Sequence, residues 1–333
     1  MCGGEGELLH QNLDDVLFGA PGEWSIRRCL DKRCGLVWLD PQPLEKDIGR
    51  AYAEYYTHAA SPVNGGAGLP RVIFRQVRAG VLRARMGYSR AASGFAWRFM
   101  APLGTLYPGG TDALAASAMF VKAPPKTSSL LDVGCGAGDF MVAMRDLGWQ
   151  VSGVETDPRA VERAVQRGLD VRHTGLEQAE LPDAAYDAVT MAHVIEHVHD
   201  PRRLLAECRR ILKPGGTLVI LTPNSASWGH HHFGRDWRGL EPPRHIRIHN
   251  RRNLTRMLES AGLVPVRVAT LAINANAVWS RSTTIRRARQ AGARRVTPNT
   301  NPVGGVLAQV AERARLRLDA DAGEDLLAIA TRP

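Results

Sequence analysis

Leu130-Leu-Asp-Val-Gly-Cys-Gly-Ala-Gly-Asp-Phe140 is the stretch whose reading decides the fold. Its short apolar run reads as a buried strand, and the strand ends in three alternating glycines, Gly134, Gly136 and Gly138. Gly138 opens a helical pattern through Phe140, Met141, Met144 and Leu147. Glycine lets the turn take positive φ and lets a ligand approach bare backbone. The helix start behind it offers unpaired N–H groups. This is a nucleotide-type turn, but its spacing is G-x-G-x-G and not the G-x-G-x-x-G of dinucleotide folds. Asp132 also stands where a dinucleotide fold usually carries an apolar residue.

Outward from Thr127, strand and helix patterns alternate. Strands are expected near 129–133, 151–154, 169–173, 187–192, 216–221, 264–268 and 325–330, and helices near 138–147, 158–167, 201–212 and 250–261. That alternation predicts an α/β class, a doubly wound, mostly parallel sheet with helices on both faces. Val151-Ser-Gly-Val-Glu-Thr-Asp157 falls on the second of these strands. An acid about 20 residues beyond such a turn accepts hydrogen bonds from ribose hydroxyls. Glu155 is the candidate, with Thr156 and Asp157 beside it; the rival role for Glu155 is capping the helix that begins at Pro158.

The glycine run resembles the first motif of class I S-adenosylmethionine (SAM) methyltransferases. The resemblance covers about Thr127–Val268 and the last strand, and leaves the insert 271–320 uncovered. It implies a Rossmann-like, seven-stranded sheet whose final strand enters antiparallel. It also implies SAM as cofactor, held by Asp132, Gly134, Cys135, Gly136, Gly138, Glu155, Thr156 and Asp157. Leu176 and Glu177 would flank the adenine, and His193, ending the fourth strand, would face the methionine portion. The implied reaction moves a methyl group to a small or lipid-linked metabolite, with a hydroxyl oxygen the expected acceptor and N- or C-methylation the alternative.

His193-Val-Ile-Glu-His197 is formally the H-x-x-E-H of one zinc peptidase class. An α/β context rejects that reading, because those histidines would need a zinc-binding helix in another fold. Related quinone O-methyltransferases hold magnesium with an acid-x-x-Glu-His version. His193 replaces that first acid, which counts against magnesium. Glu196 and His197 remain catalytic candidates at a pocket edge, against capping and structural roles.

Leu212-Lys-Pro-Gly-Gly-Thr-Leu-Val-Ile-Leu-Thr-Pro-Asn224 again resembles the family. After it comes a polar loop, Ser225 to Ile246, carrying four histidines, two tryptophans and three arginines. Ligands of doubly wound sheets bind at the strands' carboxyl ends, and long loops there are usually functional. Its Pro-Pro-Arg-His element resembles the substrate loop of SAM enzymes acting on sugars, quinones and other metabolites, which makes Trp237, Glu241 and Arg244 substrate candidates. A hydroxyl acceptor needs a base, and histidine suits that near neutral pH. His245 is the first candidate and His197 the second; packing on Trp237 or pairing with Glu241 is the structural alternative for His245.

Residues 1–45 carry Cys2, Cys29 and Cys34, the last followed by Gly-Leu-Val-Trp. This segment looks like the zinc ribbon opening a bacterial group of SAM methyltransferases, in which Pro-x-Pro (Pro41-Gln-Pro43) and a tyrosine-rich helix (Tyr52-Ala-Glu-Tyr-Tyr56) follow. A structural zinc wants four ligands, and three cysteines stand here. Either the start is truncated, or His10 or water completes the set, or the site no longer binds zinc. Residues 57–68 read as a linker. Within 46–126, a helix over 71–85 places Arg71, Arg75, Arg78 and Arg85 on one face. That basic, aromatic-flanked region is a lid or substrate region, or a surface lying on an anionic membrane. Residues 127–333 form the expected SAM-binding domain.

The chain has 333 residues, 44% hydrophobic and 23% charged, enough for a sizeable core. The amino terminus shows no basic region followed by an apolar one, and five cysteines without a signal suit reduced thiols or metal, so a cytoplasmic location is expected, with contact at the inner membrane's surface as a variant. Seven arginines and no acid lie between Gly65 and Thr111, and six more without an acid between Leu271 and Ala311. Those thirteen exceed the whole formal charge of +10. The basic character therefore sits in two inserts and suits an anionic or lipid-linked acceptor, or merely reflects codon usage. Two rivals are an NAD(P)-dependent oxidoreductase, opposed by the glycine spacing and Asp132, and a nucleic-acid-binding ribbon, opposed by the few basic residues in that ribbon. No nucleic-acid partner is expected, and the sequence is silent on oligomeric state.

Overall fold

Three short strands open the chain: β1 (Gly6–Leu13), β2 (Trp24–Cys29) and β3 (Val37–Leu39). The computed structural model describes residues 3–52, 69–92, 94–293, 295–296 and 302–333; Cys2, the linker 57–68 and Tyr55 and Tyr56 lie outside them. Next come α1 (Leu69–Met86), α2 (Trp97–Leu103) and α3 (Gly110–Ala116). The α/β alternation then runs β4 (Ser129–Val133), α4 (Asp139–Asp146), β5 (Gln150–Glu155), α5 (Pro158–Gln166), β6 (Asp170–His173), β7 (Tyr186–Ala192), α6 (Pro201–Ile211) and β8 (Leu212–Pro223). The chain closes with α7 (Trp228–Phe233), β9 (Arg247–Ile248), α8 (Arg251–Ser260), β10 (Val264–Leu271), α9 (Ala275–Gln290), α10 (Pro302–Arg315) and β11 (Asp325–Thr331).

The expected strands all form, and β8 starts earlier than the apolar run suggested, at Leu212. Seven strands make one sheet in the order β10-β11-β8-β7-β4-β5-β6. β4 pairs parallel with both β5 and β7, and β5 with β6. Leu130–Val133 of β4 and Ala188–Met191 of β7 are buried, as parallel strands covered on two faces require. The strand order reverses between β4 and β7, so the carboxyl end of β4 lies at a topological switch point, where doubly wound sheets take their ligands.

The chain divides into two compact units. One comprises Tyr56–Met191, Glu207–Val219 and Thr331–Pro333. Its nucleotide-type core packs Cys135, Met141, Ala164 and Leu169 together. Val77, Val81 and Leu114 join α1 to α3, with Met100 of α2 against them. The long helix α1 and the short α2 meet at Gly80, where an added Cβ would lie 2.9 Å from the Ala101 backbone nitrogen.

The other unit comprises the described parts of Met1–Tyr55 with Ala192–Ala206 and Ile220–Ala330. The N-terminal segment is not a self-contained ribbon. β1, β2 and β3 form an antiparallel sheet whose fourth strand is β9, from the loop after β8. One core unites Leu13, Ile26, Val37 and Leu39 with Phe233, Trp237, Leu240 and Ile248. The late insert is anchored here too, by buried acids. Trp279 of α9 donates to Glu312 of α10 at 3.1 Å, Glu312 accepts the Glu324 backbone N–H at 2.8 Å, and Trp237 donates to Glu324 at 2.7 Å. Among the described residues no helix is long and apolar enough to cross a membrane.

Candidate functional site

The glycine turn is built as the sequence predicts. Gly134, Gly136 and Gly138 all have positive φ, at 70°, 54° and 80°. They differ in purpose. A Cβ on Gly138 would drive into Leu169, so that glycine serves helix packing, whereas a Cβ on Gly136 would meet nothing within 4 Å. The backbone at Gly136 therefore faces open space.

Glu155, at the end of β5, is tied directly to that turn. It accepts from the Gly136 backbone N–H at 2.8 Å, and from the N–H groups of Thr156 and Asp157 at 2.7 and 2.9 Å. A carboxylate has about four lone-pair positions, so three backbone donors orient it and one position stays open for a hydroxyl. The helix-capping rival for Glu155 is excluded, because Asp157 caps α5 by accepting from Arg159 N–H at 3.0 Å. Asp132 is buried and accepts from Thr190 Oγ1 at 2.7 Å. Burial first, opposed by the Thr190 bond and reinforced by Glu155, pushes its carboxyl up to about 7. Burial, with Asp132 and Glu155 adding to it, pushes the Cys135 thiol far up, so it is an inert thiol. Leu176 is buried and opens the turn after β6, with half-buried Glu177 next to it. Thr190 and Arg167 escaped the sequence reading; Arg167 donates to Ala137 O and Asp139 at 2.7 Å and braces the glycine turn from the end of α5.

The histidine cluster belongs to the other unit. His193, just past β7, holds a left-handed backbone (φ 56°) that a non-glycine residue adopts at a cost. Its Nδ1 lies 3.2 Å from Glu196 Oε1. Burial opposes its protonation, but the bond to Glu196 and the charges of Glu196, Asp325 and Glu241 prevail and raise its pKa. Glu196 is fully buried and accepts from Thr222 Oγ1 at 2.9 Å. Burial pulls its carboxyl upward, yet His193, His197 and His245 hold it down at about 2.

His197 Nδ1 lies 2.9 Å from the Arg244 carbonyl oxygen and 2.9 Å from the Tyr52 hydroxyl. A carbonyl only accepts, so Nδ1 carries a proton, and in the neutral ring the lone pair is on Nε2. The same reasoning applies to His245, whose Nδ1 is 2.7 Å from Gly239 O. Its Nε2 then faces Glu241 Oε2 at 3.3 Å and Glu196 Oε1 at 4.0 Å. Burial lowers the His245 pKa to about 4, against the pull of Glu241. The two imidazoles meet edge to face with centroids 4.8 Å apart.

Around them runs a buried ion network. Arg244 donates to Asp15 at 2.8 Å and to Glu241 at 3.0 Å, and Glu241 also pairs with Arg238. Those arginines hold the Glu241 carboxyl well below its usual range despite its burial. Trp237 stacks on His230 with ring centroids 4.6 Å apart. The expectation that Trp237, Glu241 and Arg244 line a substrate is therefore corrected: all three are closed to solvent and frame the histidine loop from behind. The cavity among them holds about 30 Å³, room for a water and not for an acceptor. His245, 5% exposed, is also behind the surface, while His197 is partly open. Asp15, Tyr52 and Thr222 belong to this cluster and were not singled out by the sequence; only the fold brings Asp15 to Arg244.

Two metals were in question. Cys29 and Cys34 are buried together with Leu36 against Trp38. Two thiols are half of a structural zinc set, Cys2 lies outside the described residues, and His10 packs instead 3.4 Å from His230. Among the described residues the N-terminal cysteines thus do not make up a four-ligand structural zinc set. One group among the described residues, Glu196, His197 and His245, places ligand-type atoms within 4.8 Å of one another. Two imidazoles and one carboxylate do not suit magnesium, which takes oxygens in near-octahedral array.

The family model described as "Methyltransferase domain" matches residues 111–268. Residues 111–268 are thus similar to a methyltransferase domain. A probable S-adenosylmethionine-dependent methyltransferase of Mycolicibacterium smegmatis is 37% identical over 137 residues, 40% of this chain and 51% of that protein. A ubiquinone biosynthesis O-methyltransferase of Xanthomonas campestris pv. campestris is 38% identical over 131 residues, 37% of this chain and 52% of its own length. The chain thus spans about half the length of these curated relatives. Among solved structures, the [4+2]-cyclase SpnF superposes with a TM-score of 0.50 at 20% identity, covering 88% of this chain and 97% of that one, a likeness of fold.

Proposed function

We propose that the protein transfers the methyl group of SAM to a hydroxyl oxygen of a small or lipid-linked metabolite. The observation that carries this reading is the Glu155 carboxylate, oriented by three backbone N–H groups beside the open backbone of Gly136. SAM supplies a sulfonium methyl that is already electrophilic. The protein's tasks are to grip the ribose through Glu155, pass backbone under the cofactor at Gly136, and take the acceptor's proton. His197 Nε2 carries the accessible lone pair, and His245 stands behind it, where a proton would be stabilised by Glu241 and Glu196. This reverses the order in which the sequence ranked the two, because His245 is enclosed. O-methylation is favoured because the imidazole pair supplies a base, and because several relatives are named O-methyltransferases.

Calorimetry with SAM, S-adenosylhomocysteine and NADH tests the cofactor: binding of the first two and not the third is expected, and no affinity for either sulfur compound refutes the reading. His197→Ala should lower turnover about a hundredfold with SAM affinity unchanged. Loss of SAM binding instead of turnover would remove His197 from the role of base.

A further inference from the structure

Four large apolar side chains of α2 and the turns on either side of it stand in water. Phe95, Phe99, Leu103 and Leu106 are 59%, 66%, 42% and 79% exposed. They recur at spacings of four, four and three residues, one face of a helix. The opposite face carries Trp97, Ala101 and Gly104, which pack on Gly80 and Val81 of α1. The stripe continues onto α1: Phe74 meets Tyr107 with ring centroids 5.6 Å apart, and Val72 and Ile73 beside it are exposed. A soluble monomer rarely leaves such a contiguous apolar face uncovered.

The charges around the stripe select its occupant. Gly65 to Thr111 holds seven arginines and no acid. Arg98 lies over the rings of Phe95 and Trp97, at 4.6 and 5.6 Å from their centroids, and Arg75 is exposed on α1. A second copy of this chain docking here would bring arginines against arginines. An anionic lipid surface instead accepts the apolar stripe among its acyl chains while its headgroups neutralise the flanking guanidinium groups.

We propose that α2, with the first turns of α1, is a membrane-contact face that docks the protein onto anionic bilayers. The contact is peripheral and depends on both components, the apolar stripe for insertion and the arginines for attraction. It is independent of the reaction catalysed.

The test is sedimentation of the full chain with phosphatidylcholine vesicles, with and without phosphatidylglycerol. Binding to the mixed vesicles only is expected, weakened at about 0.5 M salt because exposed charges are then screened. Phe99→Asp combined with Leu106→Asp should reduce binding at least tenfold at an unchanged thermal midpoint. Arg75→Glu with Arg98→Glu should do the same through charge alone, and this second pair decides the matter should the first destabilise the fold. No binding of the unsubstituted protein to anionic vesicles, or equal binding by both doubly substituted proteins, overturns the proposal. So does a dimer that Phe99→Asp with Leu106→Asp turns into a monomer, when no vesicle is bound.

Discussion

Replacing Glu155 by alanine removes a carboxylate whose surroundings allow the loss to be estimated. Three backbone N–H groups lose their acceptor, at 2.7, 2.8 and 2.9 Å, but the site is only part-buried and water replaces it there. The stability change should therefore stay near about 1 kcal/mol, an ordinary net hydrogen-bond value. Cofactor affinity suffers more. In the proposed role the one open lone-pair position would make one charge-assisted bond to a ribose hydroxyl, and such bonds contribute about 1.5–3 kcal/mol. At about 1.4 kcal/mol per factor of ten, SAM affinity should fall by about tenfold to a hundredfold. Calorimetry with SAM and with a 2′,3′-dideoxyribose analogue of S-adenosylhomocysteine isolates the contact. The unsubstituted protein should discriminate strongly against the deoxy analogue, and Glu155→Ala should not. Equal discrimination by both proteins, or an unchanged SAM affinity, would refute the ribose assignment.

Gly136→Ala should weaken SAM binding because its Cβ fills the open space, with a stability loss limited to the strain of its positive φ, whereas Gly138→Ala should lower the denaturation midpoint further because its Cβ also strikes Leu169; urea titration and calorimetry on both proteins separate the two effects. Arg244→Met leaves Asp15 and Glu241 buried with one cation fewer, so a loss of about 3–5 kcal/mol is expected from urea unfolding. Burial, together with their proximity to each other and to Asp325, raises the carboxyl pKa values of Glu312 and Glu324. The folded state therefore holds protons that the unfolded chain has released, so stability is full below the usual carboxylate range and falls as pH rises above it toward the raised values. Glu312→Gln should flatten that decline between about pH 5 and 9; an unchanged slope of stability against pH would dismiss these acids as its source.

The cofactor half of the site was legible because its logic is local. Alternating glycines, an apolar strand before them and an acid at the end of the next strand are features of short segments, and Gly136 and Glu155 meet across neighbouring parallel strands that the periodicity already implies. The histidine cluster was only partly legible. Histidines 197 and 245 stood out by residue type, but which of them is reachable is a matter of burial. The supporting groups were invisible, since Asp15 reaches Arg244 across 229 residues and Tyr52 reaches His197 across 145.

By itself the sequence determined the order of strands and helices, the turn that takes a nucleotide-type ligand, and the concentration of arginine in two inserts. Those follow from periodicity and from the conformational freedom of glycine, which act within a few residues. Tertiary structure alone decided that the N-terminal strands complete their sheet with β9, that Trp237 and Arg244 are framework, and that the stripe on α2 is left in water. Burial and long-range pairing fix these outcomes, and both depend on which surfaces the whole chain brings together.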